Sequence, residues 1–131
     1  MIRTIFSVLA GFALWSVLWL SLNAALTAAL PGTFREDGST ESAPILLAIL
    51  ALSVVFSVLA GYVTAAIARA KAFPAAWILG LLHLTIGLVV QGMAWTTLPV
   101  WYHLGFLAFL VPGILLGAKL RVDRPPRVRL A

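Results

Sequence analysis

Long segments without a charged residue dominate this chain and limit its possible folds more than any other feature. Residues 4–34, 42–68 and 72–118 contain no Lys, Arg, Asp or Glu. Charged residues make up 10% of the whole chain, against about 25% in a typical soluble domain. Because a water-soluble fold of this size could not cover so much apolar surface, lipid is the expected surrounding of the chain.

The uncharged segments divide into four predicted membrane spans, at residues 5–30, 44–68, 74–95 and 100–118. A single helix over 72–118 would overshoot a bilayer core roughly twofold, so a turn is expected at 95–99. Pro31-Gly32 predicts a loop after the first span. The expected fold is all-α, with a single domain at residues 1–120 built as an antiparallel bundle of four transmembrane helices. Residues 121–131 are expected to form a basic cytoplasmic tail.

The charges between the spans predict the orientation of the bundle. One side would carry the basic residues Arg3, Arg69, Lys71, Lys119, Arg121, Arg124, Arg127 and Arg129 with Asp123, and the other Arg35 with Glu36, Asp37 and Glu41. Since basic residues accumulate on the cytoplasmic side, both termini are expected in the cytoplasm. The net charge of +5 lies beside the spans, which argues against nucleic-acid binding and predicts contact between the tail and anionic lipid headgroups.

A cleaved signal peptide is the alternative interpretation of the first span. Thr27-Ala28-Ala29 would be its cleavage site. The apolar run before this point is longer than the usual h-region of about 7–15 residues. We therefore expect the first span to be retained.

Small residues recur at positions that favour close helix packing. Gly11 and Gly61 lie at matching distances from the basic residues that flank their spans, so an antiparallel pair would bring them to the same depth. We expect the first two helices to pack at this glycine pair. Further small residues follow at helical spacing, at Ser53, Ser57, Gly113 and Gly117. These positions would pack either inside the bundle or against a second copy or a partner protein.

Three polar residues of the first span, Ser16, Asn23 and Thr27, fall on one face of a helix. In lipid this face is expected to point toward protein or water. It would either form hydrogen bonds with neighbouring helices or line a substrate cavity.

His83 lies near the middle of the third span, with Gly80, Gly87 and Gln91 on nearly the same face. An ionisable side chain at this depth is a functional hypothesis by default. Three interpretations stay open: a hydrogen bond to a neighbouring helix, proton handling or substrate contact, and axial ligation of a haem or chlorophyll-type ring for which the glycines leave room. His103 would lie about 12–15 Å away along the bilayer normal, and an interfacial position is expected for it.

No pattern in the sequence indicates an enzyme. The predicted spans hold no Asp, Glu, Lys or Arg, which argues against ion-coupled transport. The chain has no cysteine, which excludes disulfides, iron–sulfur clusters and thiolate zinc sites. No metal site is expected.

The second half of the chain carries three recognisable segments: GYVTAAIAR at 61–69, LPVWYH at 98–103 and VPGILLGAKL at 111–120. With these it resembles a group of small bacterial inner-membrane proteins that have four spans. The resemblance covers mainly residues 61–120 and implies a four-span fold in the bacterial inner (cytoplasmic) membrane. The group has no assigned activity, so the resemblance implies no function.

The sequence therefore leaves three functional hypotheses. The first is a non-catalytic accessory or scaffold subunit that packs against partners in a larger membrane complex or against copies of itself. The second is a small-molecule- or cofactor-binding membrane protein that uses His83, with no cofactor expected unless a haem or chlorophyll-type pigment binds there. The third is a pore for neutral solutes.

Overall fold

The computed structural model describes residues 1–124, and this part of the chain is all-helical, as predicted. Its elements are α1 (Ile2–Ala29), α2 (Ala43–Ala68), a 3₁₀ turn (Arg69–Lys71), α3 (Ala72–Met93) and α4 (Val100–Val122). Each helix begins and ends within a few residues of a predicted span. The largest difference is at the end of α4, which continues past residue 118 into the segment predicted as a tail.

Three helical stretches are long and apolar enough to cross a membrane, namely Ile2–Ala29, Ala43–Met93 and Val100–Val122. The middle stretch of 51 residues contains both α2 and α3, because the 3₁₀ turn joins them without a gap. The chain bends at this turn, where Arg69 has a φ of 56°. A positive φ is uncommon for a residue that carries a Cβ.

Two hydrogen bonds between α1 and α2 show that these helices are antiparallel. The Thr64 hydroxyl donates to the carbonyl oxygen of Ser7 at 3.2 Å. The Trp15 indole N–H donates to the Ser57 hydroxyl at 3.1 Å. A later residue of α1 is therefore paired with an earlier residue of α2, as antiparallel helices require.

The fourth helix packs against both α2 and α3. Gly105 faces Leu50 and Gly117 faces Val58, so α4 runs parallel to α2, and these two helices share the most extensive interface. On the other side, the turn at 94–99 joins α3 and α4 as an antiparallel hairpin. The helices therefore alternate in direction along the chain, while the packed pair α2 and α4 is parallel.

The glycines of α1 and α2 face different neighbours, so the predicted Gly11–Gly61 pair is wrong. A Cβ at Gly11 would lie 3.2 Å from the carbonyl oxygen of Ala60 in α2, whereas Gly61 faces the backbone of Ile114 in α4. The two glycines do lie at the same level. Successive residues of a helix point about 100° apart, which turns Ala60 toward α1 and Gly61 toward α4.

The other predicted packing residues also lie inside the bundle. A Cβ at Gly113 would lie 2.9 Å from the Cβ of Ser57, and Gly117 faces the backbone of Val58. Ser53 and Ser57 are buried in α2, and the Ser57 hydroxyl donates to the carbonyl of Ser53 at 2.8 Å. These small residues let the α2 and α4 backbones approach each other closely.

The helix directions separate the charges onto two ends of the bundle. Within the described residues, the basic end carries Arg3, Arg69, Lys71, Lys119, Arg121 and Arg124 with Asp123. The acidic end consists of loop 30–42, which carries Arg35, Glu36, Asp37 and Glu41, and of the turn at 94–99. Most of the predicted tail, residues 125–131 with Arg127 and Arg129, lies outside the described residues.

The core and the surface of the bundle differ from those of a soluble protein. Toward the basic end, six core residues are each 0% exposed: Ala60, Ala75, Ala76, Leu79, Ile114 and Ala118. The outer surface carries large aliphatic side chains, of which Leu20 is 68% exposed. Soluble monomers rarely expose an apolar surface of this extent, so the helices suit a lipid environment.

Candidate functional site at the acidic end

His83 is buried in the bundle, and one of its ring nitrogens has no partner. The residue is 4% exposed, and Nδ1 lies 3.2 Å from the carbonyl oxygen of Leu79, one turn earlier in α3. Since a carbonyl only accepts, Nδ1 carries the proton of the neutral ring in this contact. Nε2 then holds a lone pair, which is shielded from solvent and makes no hydrogen bond. His83 therefore presents one unused acceptor.

Two aromatic rings of α1 contact His83. The rings of Phe12 and Trp15 lie 5.1 Å and 5.0 Å from the imidazole. Trp19 stacks on Trp15 at 5.2 Å. The hydrogen bond from Trp15 to Ser57 fixes the plane of the first indole, so a residue of α2 orients the aromatic wall that α1 provides.

A cavity of about 160 Å³, the inner chamber, lies beside His83 between α1, α3 and α4. Its walls are Trp15, Trp19, His83, Ile86, Gly87, Val90, Gln91, Phe106 and Leu110. Most of these side chains are apolar. An engineered protein cavity of about 150 Å³ stays dry and binds benzene. The inner chamber therefore suits one aromatic ring or a short hydrocarbon segment.

A haem or chlorophyll-type ring does not fit beside His83. Gly80 faces Val111 of α4, and a Cβ at Gly87 would lie 3.2 Å from Leu107. The sequence had suggested that these two glycines leave room for a ring. In the structure they instead let α4 approach α3 closely. The inner chamber is also smaller than the roughly 300–1,000 Å³ of pockets for drug-sized ligands. Residues 1–124 contain no group of three His, Cys, Asp or Glu that could hold a metal ion.

A second cavity of about 260 Å³, the vestibule, adjoins the inner chamber toward the acidic end. The two cavities share Trp19, Val90 and Gln91 as walls. The vestibule is further lined by Asn23, Phe34, Asp37, Gly38, Thr40, Leu46, Ile49, Ala94, Leu98 and Tyr102. Several of these side chains are polar, so the polarity of the walls rises from His83 toward the acidic end.

Loop 30–42 places Asp37 in the wall of the vestibule. Its Oδ1 accepts hydrogen bonds from the Ser39 hydroxyl at 2.6 Å and from the Ser39 backbone N–H at 2.9 Å. These bonds, together with the nearby Arg35, hold the pKa of Asp37 below its ordinary value of 3.8. Gly38, with a φ of 80°, provides the left-handed backbone of this turn. Asp37 is therefore ionised at neutral pH.

His103 lies in the first turn of α4, and the bundle encloses it completely, with 0% exposure. Its Nδ1 makes a hydrogen bond with Gln91 Oε1, and Trp95 stacks on its ring at 4.8 Å. Its Nε2 is buried without a partner. The sequence contained a signal for this pair. Gln91 and His103 both lie within one turn of the helix ends that the 94–99 turn joins, so an antiparallel hairpin brings them to the same level.

The polar residues of α1 do not form the inward-facing stripe that the sequence predicted. The Asn23 side chain donates to the carbonyl of Trp19 at 2.8 Å, and the Thr27 hydroxyl donates to the carbonyl of Asn23 at 2.9 Å. Ser16 is half-buried and Thr27 is exposed. Because Asn23 and Thr27 bond to their own backbone, they need no neighbouring helix. Of the three residues, Asn23 alone lines the vestibule.

Comparisons of the chain with protein families, with curated proteins and with solved structures give no match. The resemblance over residues 61–120 therefore stays a prediction, and the functional interpretation depends on the geometry of the two cavities.

Proposed function

We propose that the protein crosses the bacterial inner membrane four times, with both termini in the cytoplasm, and binds a small lipophilic molecule in the inner chamber. The exposed aliphatic surface supports membrane insertion. The basic end would face the cytoplasm and the acidic end the outside, in agreement with the positive-inside rule.

Cysteine labelling tests this topology, because the chain has no cysteine of its own. Glu36→Cys, in loop 30–42, should react with a membrane-impermeant maleimide in intact spheroplasts. Lys71→Cys and Asp123→Cys, at the basic end, should react only after lysis. Residue 71 lies between α2 and α3. Reaction of Lys71→Cys without lysis, while Asp123→Cys stays protected, would place this residue outside the cell and contradict a fold in which both helices cross the membrane.

The observation that carries the binding proposal is the ring of His83, which lines the inner chamber and whose buried Nε2 has no hydrogen-bond partner. Leaving a buried acceptor without a partner costs about 1–3 kcal/mol. A hydroxyl or N–H group of a ligand would satisfy it. The rings of Trp15, Trp19 and Phe106 would contact the apolar body of the same ligand. We infer a ligand with an apolar segment about the size of one ring and a hydrogen-bond donor next to it.

Two probes of nearly equal shape test this site. Fluorobenzene and para-fluorophenol differ by one hydroxyl group, and fluorine NMR measures their binding to the protein in nanodiscs. We expect saturable binding of both, with the phenol bound about fivefold more tightly because a hydrogen bond contributes about 1 kcal/mol net.

Variants of α3 assign the difference to His83. His83→Phe should abolish the advantage of the phenol while fluorobenzene still binds. Thr85→Val changes an exposed polar residue of the same helix and should alter neither affinity. Equal phenol binding by the wild type and His83→Phe, or no saturable binding of either probe, would contradict the proposal.

The other two hypotheses have less support in the geometry. An accessory subunit that packs through small residues would need them at the surface, but Gly61, Gly113 and Gly117 are occupied inside the bundle. A pore would need a path from the inner chamber to the basic end, where Leu79 and Ile114 lie in the core with 0% exposure. Ligand binding is therefore preferred to both.

A further inference from the structure

Aromatic side chains and a carboxylate converge on the vestibule. Trp19, Phe34 and Tyr102 line it together with Asp37. The face of an aromatic ring attracts cations, and groups of such rings recognise quaternary ammonium ligands. Building on the binding function proposed above, we propose that the ligand is a lipophilic cation. Its ammonium head group would lie in the vestibule, and its apolar segment, with the hydrogen-bond donor that meets His83, would lie in the inner chamber.

The charges of loop 30–42 favour a cation over an anion. Arg35 forms a salt bridge with Glu41. Within the described residues, no salt bridge neutralises Glu36 or Asp37. The hydrogen bonds from Ser39 occupy Oδ1 of Asp37, which leaves Oδ2 to interact with a bound head group.

A continuous aromatic wall connects the two cavities. Tyr102, which is 3% exposed, stacks on Phe106 with ring centroids 6.3 Å apart. Phe106 in turn lies 5.4 Å from Trp19, and both rings line the inner chamber. A ligand that occupies both cavities would therefore remain beside aromatic side chains along its length.

The separation of the two cavities sets the shape of the ligand. His83 marks the inner chamber, and Gln91 lies in the wall that both cavities share. The distance between these two positions along α3 is about 12 Å at 1.5 Å per residue. A compact ion would fill the vestibule alone. An extended alkyl chain carrying a head group can reach from the vestibule to His83.

Three amphiphiles with the same alkyl chain test the choice of head group: dodecyltrimethylammonium, dodecanol and dodecanoate. Equilibrium dialysis measures their saturable binding to protein-containing nanodiscs, with empty nanodiscs subtracted to remove partitioning into lipid. We expect the cation to bind about tenfold more tightly than the alcohol, and the anion to bind more weakly than both.

Variants of loop 30–42 separate the carboxylate from the aromatic contribution. Asp37→Asn should reduce the preference for the cation by about threefold, and Phe34→Leu should reduce it by a similar factor. Glu36→Gln removes an equal charge that does not line the vestibule and should retain most of the preference. Dodecanol affinity should stay the same in Asp37→Asn.

The outcomes distinguish this inference from the binding function on which it rests. Equal binding of the three amphiphiles, tighter binding of dodecanoate, or a preference that Asp37→Asn and Glu36→Gln change alike would overturn the lipophilic-cation proposal. The fluorophenol result would still stand in each case. Absence of saturable fluorophenol binding would instead reject the binding function itself.

Discussion

The indole of Trp15 lies edge-on against the imidazole of His83, with ring centroids 5.0 Å apart and the ring planes at 65°. The N–H group of the same indole donates to Ser57. Ser57 belongs to α2, which contributes no wall to the inner chamber. One hydrogen bond therefore links α2 to the ring pair that α1 and α3 form beside the chamber.

Removal of this hydrogen bond should destabilise the bundle. Ser57→Ala keeps the Cβ that contacts Gly113 but leaves the buried Trp15 N–H without its acceptor. The free energy of unfolding should fall by about 1–3 kcal/mol, measured by denaturation in detergent with tryptophan fluorescence. Ser53→Ala is the control on the same helix, because its hydroxyl bonds to the carbonyl of Leu50 in α2. A loss of equal size in both variants would show that the bond to Trp15 adds nothing.

Close approach of α2 and α4 should make two glycines intolerant of a methyl group. A Cβ at Gly61 would lie 2.7 Å from the carbonyl carbon of Ile114, and one at Gly117 would lie 2.8 Å from the backbone nitrogen of Tyr62. Because backbone cannot rotate away as a side chain can, Gly61→Ala and Gly117→Ala should each cost about 2 kcal/mol or more of unfolding free energy.

The matched control for these glycines is Gly92→Ala. A Cβ at Gly92 meets no atom within 4 Å, so alanine should stabilise α3 by up to about 1 kcal/mol through its helix propensity. The same denaturation experiment measures all three variants. Similar stability changes at Gly61, Gly117 and Gly92 would be incompatible with the packing described.

The buried pair Gln91–His103 should be energetically coupled. Gln91→Leu removes the partner of a fully buried ring nitrogen and should lower the free energy of unfolding by about 1–3 kcal/mol. His103→Leu leaves the amide oxygen of Gln91 without its partner and should cause a comparable loss. The double variant removes both polar groups. Its loss of unfolding free energy should be smaller than the sum of the two single losses, with a coupling energy of about 1 kcal/mol between the two residues. Strictly additive losses would argue against a hydrogen bond between these residues.

The preference for a cationic head group should persist in mildly acidic solution. The hydrogen bonds from Ser39 and the neighbouring Arg35 lower the pKa of Asp37 below 3.8, so its charge and the stability it contributes are present above that pH. Both are lost as the pH falls through the lowered pKa. Equilibrium dialysis, carried out separately with dodecyltrimethylammonium and with dodecanol, should therefore show a constant preference from neutral pH to about pH 5. A preference lost near neutral pH would implicate a histidine instead of Asp37.

Several features of the candidate site could be predicted from the sequence, and others could not. His83 is conspicuous as an ionisable residue in a span without Asp, Glu, Lys or Arg, so its identification required no structure. Trp15, Phe106 and Asp37 could not be assigned to the same site, because they belong to segments far apart in the chain. The pairing of Gln91 with His103 lies between these cases, since the antiparallel hairpin of α3 and α4 indicates it but the sequence interpretation assigned His103 no partner.

The sequence by itself determined that the described chain is helical and apolar, and it placed the helix ends to within a few residues. Long uncharged runs interrupted by charges, glycines and prolines are local signals, and local hydrogen bonding is enough to form a helix. The rotation of each helix about its axis was decided by tertiary structure alone. That rotation turned Gly61 toward α4, left Thr27 exposed and buried His103. It depends on how all four helix surfaces fit together, because close packing allows few arrangements of large rings and small residues. The inner chamber lies beside His83 because the rings of Trp15, Trp19 and Phe106 meet there without filling the space.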